Sequence, residues 1–254
     1  MDRRAIIGLA LAIIAGGAVY FGLRGAPVKA PETATGAAAI ADPYVEHAQY
    51  YDIAANYPTT TPLSAQASKT AVETMQGFII DTVSRFKSGG PEGISYTNLP
   101  SGEKASLQIL YLISSSPHTV SYIFTTSEDT GGAHGNSVFT TFTFDTDPST
   151  SSGQAGTPLS LADLFVPGAD YLGTLSRIAR IKLPMIIGSQ FADAKVINAG
   201  TAPDTKSFKN FFIDNATLDI LFDPYAVAAY AAGPQTLQIP LSDLSSILKS
   251  EYKP

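Results

Sequence analysis

No cysteine occurs anywhere in the 254 residues. That absence removes structural disulfides, cysteine-ligated zinc, iron–sulfur clusters and thiol catalysis together. Histidine is scarce: His47, His118 and His134 are the full set, and no two stand at a helical ligand spacing. A histidine-based zinc site is therefore not expected, and no metal or cofactor is called for. The sequence also lacks a G-x-S-x-G elbow and a glycine-rich phosphate loop opening a helix. Ser-x-x-Lys occurs twice, at Ser101–Lys104 and Ser246–Lys249, but without the companion motifs of penicillin-binding enzymes. Two fixed residues recur by chance in a serine-rich chain.

Positive charge is thin as well. With Asp2, Arg3, Arg4 and Arg24 set aside, the remainder carries 21 acidic and 13 basic side chains, a balance of −8. Binding phosphate backbones needs clustered Lys and Arg, so nucleic acid is excluded as a partner. A cationic partner fits such a body, in a salt-dependent way. Hydrophobic residues at 44% and charged residues at 15% suit a globular protein.

What is present begins with a long apolar run. Ala5–Leu23 is nineteen residues without a charge. At 1.5 Å rise per residue it spans roughly 28 Å, close to a ~30 Å hydrocarbon core. Arg3 and Arg4 precede it, which places the N-terminus in the cytoplasm and the body outside. A cleaved signal peptide has a shorter core and an A-x-A-like site; here Val28-Lys29-Ala30 is followed by Pro31. Residues 1–24 are thus expected to be an uncleaved signal anchor, a single transmembrane helix. Residues 25–43, rich in Ala, Pro and Thr, read as a flexible tether.

The body starts near Tyr44. Tyr50–Tyr57 reads as a strand stopped by Pro58, and Ser64 as the N-cap of an amphipathic helix. Val72, Met75, Ile79, Val83 and Phe86 recur on one face of that helix, which ends near Gly89-Gly90. Ser106–Ser114 is apolar on both faces and is expected to be central in a sheet, followed by Thr119–Thr126 and Asn136–Asp145. Ser127–Gly135 has the glycines and Asp of a hairpin turn. Asp147–Gly156 is a Ser, Gly and Pro loop that divides an N-terminal lobe, 44–150, from a C-terminal lobe, 151–254.

In the second lobe, Ser160 with Asp163 forms a capping box, and Tyr171–Ile187 is helical with Leu172, Leu175, Ile178, Ala179 and Ile181 in register. Pro184 bends or ends that helix. A second hairpin joins Lys209–Asp214 to Ala216–Asp223 across Asn215; Leu218, Ile220 and Phe222 point one way, Asp219 and Asp223 the other. Gln235–Ile239 is a short strand and Pro240–Lys249 a closing helix. Strands and helices do not alternate as βαβ units. The expected class is α+β, with mostly antiparallel sheets flanked by helices, the two lobes packed as one body.

The stretch Glu128–Asn136 is the richest in polar chemistry. It reads as a recognition loop with an acidic tip, Glu128 and Asp129, and a presented His134. A wide turn whose Gly131, Gly132 and Gly135 supply positive φ accounts for the same residues. Tyr225 and Tyr230 have rings that can stack on sugars or pack into a core.

Three runs in order now carry a resemblance. Gly131-Gly132-Ala133-His134-Gly135-Asn136, Leu159 to Phe165, and Phe222-Asp223-Pro224-Tyr225 through Tyr230-Ala231-Ala232-Gly233 resemble the RsiV-type extracytoplasmic domain, over about Tyr50–Leu248. Ala229 departs from the proline usual before the second Tyr of the last run. That bacterial family is largely of unknown function and is also found beside peptidoglycan deacetylase domains. The resemblance implies a two-part α+β unit facing the cell wall, and its anti-sigma members sense lysozyme. With only Met1–Arg4 ahead of the apolar run, an anti-sigma role is not expected. Nor is a deacetylase domain, because Pro254 lies six residues after Leu248. The expectation is a tethered envelope module that binds peptidoglycan-type glycan or a cationic protein such as lysozyme. Glu128, Asp129, His134, Tyr225 and Tyr230 are its candidate binding residues. A hydrolase acting on envelope glycan is the alternative; a cleft joining one of Asp163, Asp170 or Asp223 to His134 would favour it.

Overall fold

A computed structural model describes residues 44–90, 93–100, 102–147 and 155–254. The expected membrane helix and tether lie outside the described residues. No helix among those described is long and apolar enough to cross a membrane.

Five strands form the larger sheet, in the order β1 (Tyr44–His47), β2 (Tyr51–Ala55), β3 (Ala105–Ser115), β4 (Thr119–Asp129), β5 (Asn136–Asp145). All neighbours are antiparallel except β2 and β3, which run parallel from Tyr51 opposite Ala105 to Ala55 opposite Ile109. Parallel neighbours need a crossover, and here it carries α1 (Ala65–Lys87). This corrects the expectation that no βαβ unit is present: the sheet is mixed. The period-3.6 pattern identified the helix. Strand direction, however, is set by where the chain re-enters the sheet, and no local pattern encodes that. The four residues of β1 also went unread, being too short for an alternation to register.

One face of the sheet packs on α1. Ile53, Leu107, Ile109, Val120, Tyr122, Phe124 and Phe144 meet Ala71, Met75, Ile79, Val83 and Phe86 in one core. Burying a side chain of this size contributes roughly 1.5–3 kcal/mol. Helix α1 ends as expected. Gly89 and Gly90 take φ of +85° and +67°, and the Gly90 N–H returns to the Arg85 carbonyl.

A second, all-antiparallel sheet has the order β6 (Phe211–Asp214), β7 (Thr217–Phe222), β8 (Gln235–Pro240). Leu218, Ile220, Phe222, Leu237 and Ile239 pack with Leu175, Ala179, Leu183 and Ile187 of α2 (Tyr171–Ile187) in a second core. The Asp170 carboxylate caps α2 by accepting from Gly173 N–H at 3.0 Å. Pro184 lies within this helix rather than ending it. Ile181 faces solvent, 64% exposed, so the buried stripe runs through Leu183 and Ile187 instead. Helix α3 (Ala194–Gly200) went unread because seven residues show no periodicity. Arg180 Nη2 and Ser176 Oγ donate to the Asn198 and Thr201 carbonyls at its C-terminal end.

The expected closing helix is absent among the described residues. In its place stand two short 3₁₀ turns, Leu241–Leu244 and Ser250–Tyr252, with Leu248 bridged to Phe165. Leu241, Leu244, Leu248 and Tyr252 still reach the second core, at a spacing too irregular for one α-helical face.

Strand β6 lies at the edge of the small sheet and across β3, β4 and β5 of the large one. Its outward backbone groups are satisfied by hydroxyls instead of another strand. Phe211 N–H donates to Thr141 Oγ1 at 2.9 Å, Thr143 Oγ1 donates to Phe211 O at 3.2 Å, and Ser114 Oγ donates to Ile213 O at 3.2 Å. This explains why the second face of the large sheet is rich in Ser and Thr yet buried. An unpartnered buried backbone group is costly, and each hydroxyl removes one.

Candidate functional site

His134, Tyr225 and Tyr230 converge. The His134 and Tyr230 rings stack with centroids 4.0 Å apart and planes at 20°. Tyr225 closes the group, 5.3 Å from Tyr230 and 6.5 Å from His134. Polar atoms hold the arrangement. Tyr230 Oη donates to the Gly135 carbonyl at 2.8 Å, His134 Nδ1 lies 2.9 Å from the same oxygen, and Tyr225 Oη lies 3.4 Å from His134 Nε2.

The two tyrosines come from the connection between β7 and β8. Its first turn is Asp223-Pro224-Tyr225-Ala226, closed by Ala226 N–H to the Asp223 carbonyl at 3.0 Å. Proline at the second position with positive φ at the third is the signature of a type II turn, whose third position is normally glycine. Tyr225 occupies it at φ +69°. An L side chain there costs about 1–2 kcal/mol. The strain holds a large ring 58% exposed at the surface. Asp223 fixes the turn to the large sheet: Oδ1 accepts from Phe139 N–H of β5, and Oδ2 lies 3.6 Å from Lys209 Nζ. The Asp-Pro pair was the sequence signal for this turn, and it can be read without the structure.

The opposite side of the cluster is the turn between β4 and β5. Strand β4 runs on through Glu128 and Asp129, so the turn is 130–135 and neither acid is at its tip. This corrects the acidic-tip reading. Glu128 pairs with Leu107 on one side and Asn136 on the other, and its charge acts on Tyr96 beneath α1. Asp129 turns inward on its own loop, its Oδ1 accepting from Gly131 N–H at 2.9 Å. Gly131 takes φ +79°, a backbone conformation strained for any L side chain, and a Cβ there would also have to displace Leu99 Cδ2, 2.2 Å away. The five candidate residues thus separate into an aromatic trio and two carboxylates engaged in building the strand end.

The three carboxylates named for hydrolysis each hold a local structure. Asp163 Oδ2 accepts from Ser160 N–H and Oγ at 2.8 and 2.6 Å, closing the expected capping box. Asp170 caps α2, and Asp223 fastens the turn. An apolar groove of about 610 Å³ runs along α1, lined by Tyr44, Tyr57, Ile79, Ile80, Val83 and Lys87 among others. None of the trio lines it. Lys87 is committed there to Glu46, and its ammonium, with the Tyr44 and Tyr51 hydroxyls, holds the Glu46 carboxyl down at about 2.

The fold is α+β, with one mixed and one antiparallel sheet and three helices among the described residues. Residues 162–242, which hold α2, α3 and β6 to β8, match the model of a family described as a protein of unknown function, DUF3298. Over 134 residues the chain is 39% identical to the peptidoglycan-N-acetylmuramic acid deacetylase PdaC of Bacillus subtilis, covering 53% of this chain. The chain spans about a quarter, 27%, of that curated relative. Two solved structures share the fold. A DUF3298 family member from Bacteroides fragilis aligns with a TM-score of 0.55 at 16% identity, over 82% of this chain and 92% of its own. A DUF3298 family protein from Pseudomonas aeruginosa aligns with a TM-score of 0.54 at 13% identity, over 85% and 94%.

Proposed function

We propose that the chain is a membrane-tethered, extracytoplasmic envelope module of the RsiV type, and that the face formed by Tyr225, His134 and Tyr230 binds peptidoglycan-type glycan. The observation that carries the reading is Tyr225, a large ring kept exposed on a strained backbone beside a stacked His–Tyr pair. Strain of this kind persists where the surrounding structure enforces it, and it concentrates at binding sites. The CH face of a pyranose packs on the electron-rich face of an aromatic ring, while the ring edges offer hydrogen-bond groups for sugar hydroxyls. Similarity to a peptidoglycan deacetylase over half of the chain supports the same chemistry. Delivery to the envelope rests on the uncharged Ala5–Leu23 run behind Arg3 and Arg4.

A second reading is carried by the acidic body, 21 acidic against 13 basic side chains, which suits a cationic wall-active protein such as lysozyme. The test is retention of the full chain on purified peptidoglycan and on immobilised lysozyme, at low and moderate salt. Retention on peptidoglycan should fall on the order of tenfold for Tyr225→Ala, the factor that corresponds to ~1.4 kcal/mol. Retention on lysozyme alone selects the second reading. Failure of the parent on both, or unchanged retention of the variant on peptidoglycan, removes the proposed glycan site.

A further inference from the structure

Helix α2 is apolar on both sides. Its inner face buries Leu175, Ala179, Leu183 and Ile187 in the second core. Its outer face leaves Ile181 64%, Met185 74% and Ile186 46% exposed. Soluble surfaces carry single exposed aliphatics without consequence; three within one and a half turns form a patch. Arg177, Arg180 and Lys182 lie beside it on a helix without an acidic residue; Lys182 Nζ is 3.9 Å from Asp243, and Arg180 is turned to the end of α3, which leaves Arg177 as the cation outside such pairings.

Along the chain the bias continues: residues 171–209 hold six Lys or Arg against two Asp, although Lys209 is turned to Asp223. Cations of one helix flanking its exposed aliphatic side chains are the pattern that binds an anionic lipid surface. The aliphatics enter the acyl boundary and the cations remain among the headgroups.

We propose that the outer face of α2, centred on Ile181, Met185 and Ile186 with Arg177 at its margin, docks the body on the surface of an anionic bilayer. For delivery this rests on the tethered reading above. Residues 25–43 reach at most about 65 Å when fully extended, so an anchored body stays within range of its own membrane.

The absence of tryptophan makes the test clean. Met185→Trp and, as a reference on the exposed side of α1, Glu73→Trp are each introduced into the full chain and reconstituted into phosphatidylcholine vesicles with or without phosphatidylglycerol. Flotation of the vesicles reports the anchor separately. Among floated samples, brominated acyl chains should quench the reporter at 185 about twofold or more with a blue shift, in anionic vesicles, and leave the one at 73 unchanged. Adding Arg177→Glu should weaken that quenching in anionic vesicles alone. Equal quenching at 73 and 185, none at 185 in chains that float, or burial of position 185 by an added acidic protein but not by lipid overturns the docking proposal. Chains that fail to float overturn the anchor instead.

Discussion

His134 rests face to face on Tyr230, their centroids 4.0 Å apart, and the Tyr230 hydroxyl reaches past the imidazole to the Gly135 carbonyl at 2.8 Å. A turn of the large sheet is thereby fastened to a connection of the small one, across 95 residues of chain. Stacking positions the ring planes, and the hydrogen bond prevents them from sliding. The result is an aromatic surface on which Tyr225 stands 58% exposed.

The two fasteners can be separated. Tyr230→Phe keeps the ring and deletes the hydroxyl, leaving Gly135 O with the imidazole as partner; the expected loss is about 0.5–1.5 kcal/mol. Tyr230→Ala removes the ring too, and an aromatic pair adds roughly another 0.5–1.5 kcal/mol beyond the area lost. Urea denaturation gives both values, and amide exchange in residues 130–135 should quicken more for Ala than for Phe. Equal losses in the two variants would mean the stack contributes nothing.

At an ordinary exposed site alanine is the more stable replacement, since glycine loses more backbone entropy on folding. At position 225 the order should invert. Both Tyr225→Ala and Tyr225→Gly abolish the exposed ring, but only glycine adopts φ +69° without penalty. The glycine variant should be the more stable of the two by about 1 kcal/mol in a thermal or urea melt. Both should lose peptidoglycan retention, which separates the ring's role from that of the backbone.

Much of the fold was legible because it was periodic. The Met75–Ile79–Val83–Phe86 spacing and the alternation Leu218–Ile220–Phe222 are local statements about which side faces a core, and both faces are buried as read. What escaped is non-local or aperiodic: the parallel pairing of β2 with β3, the four residues of β1, and the 3₁₀ turns from Leu241 onward. Within the site, Tyr225 and Tyr230 were legible as rings able to stack on a sugar or to pack into a core, while the turn at Asp223-Pro224 that presents Tyr225 went unread. Glu128 and Asp129 were misread as a tip because β4 continues through polar residues, held by pairing with β3 and β5 that hydropathy does not register. Asp219 was assigned to the face away from the core; it does lie there, but that face is buried too.

The hydroxyl seam between the sheets makes a sharper demand than any apolar contact. Thr143 Oγ1 serves both Ser121 Oγ at 3.0 Å and the Phe211 carbonyl at 3.2 Å. Thr143→Val preserves shape and volume while leaving that carbonyl without its donor, at an expected cost of about 1–3 kcal/mol. The same exchange at partly buried Thr140 on the same strand should cost less, about 0.5 kcal/mol or below. Matched urea melts decide the point, and comparable effects at the two positions would remove the seam's role.

Asp219 provides a pH signature. Its carboxyl is fully buried opposite Phe212 and Gln238, with Oδ2 accepting from Thr217 Oγ1 at 2.7 Å. Burial pushes the group up from 3.8 to about 6, with the nearby Asp214 charge adding to the rise and Thr217 and Gln238 opposing it. The folded state therefore holds this proton more tightly than the unfolded chain does. The stabilising contribution is fully present below pH 3.8, declines as pH rises between the two values, and is gone above about 6. A shift of this size corresponds to an order of 3 kcal/mol at ~1.36 kcal/mol per unit. Asp219→Asn keeps an acceptor for Thr217 and carries no charge at any pH. Relative to the parent it should be more stable at pH 7.5 by up to about 3 kcal/mol, with the advantage shrinking to near zero by about pH 3.5. Urea midpoints across that range measure the difference directly. A gap between variant and parent that does not change with pH would show that Asp219 is not the titrating group.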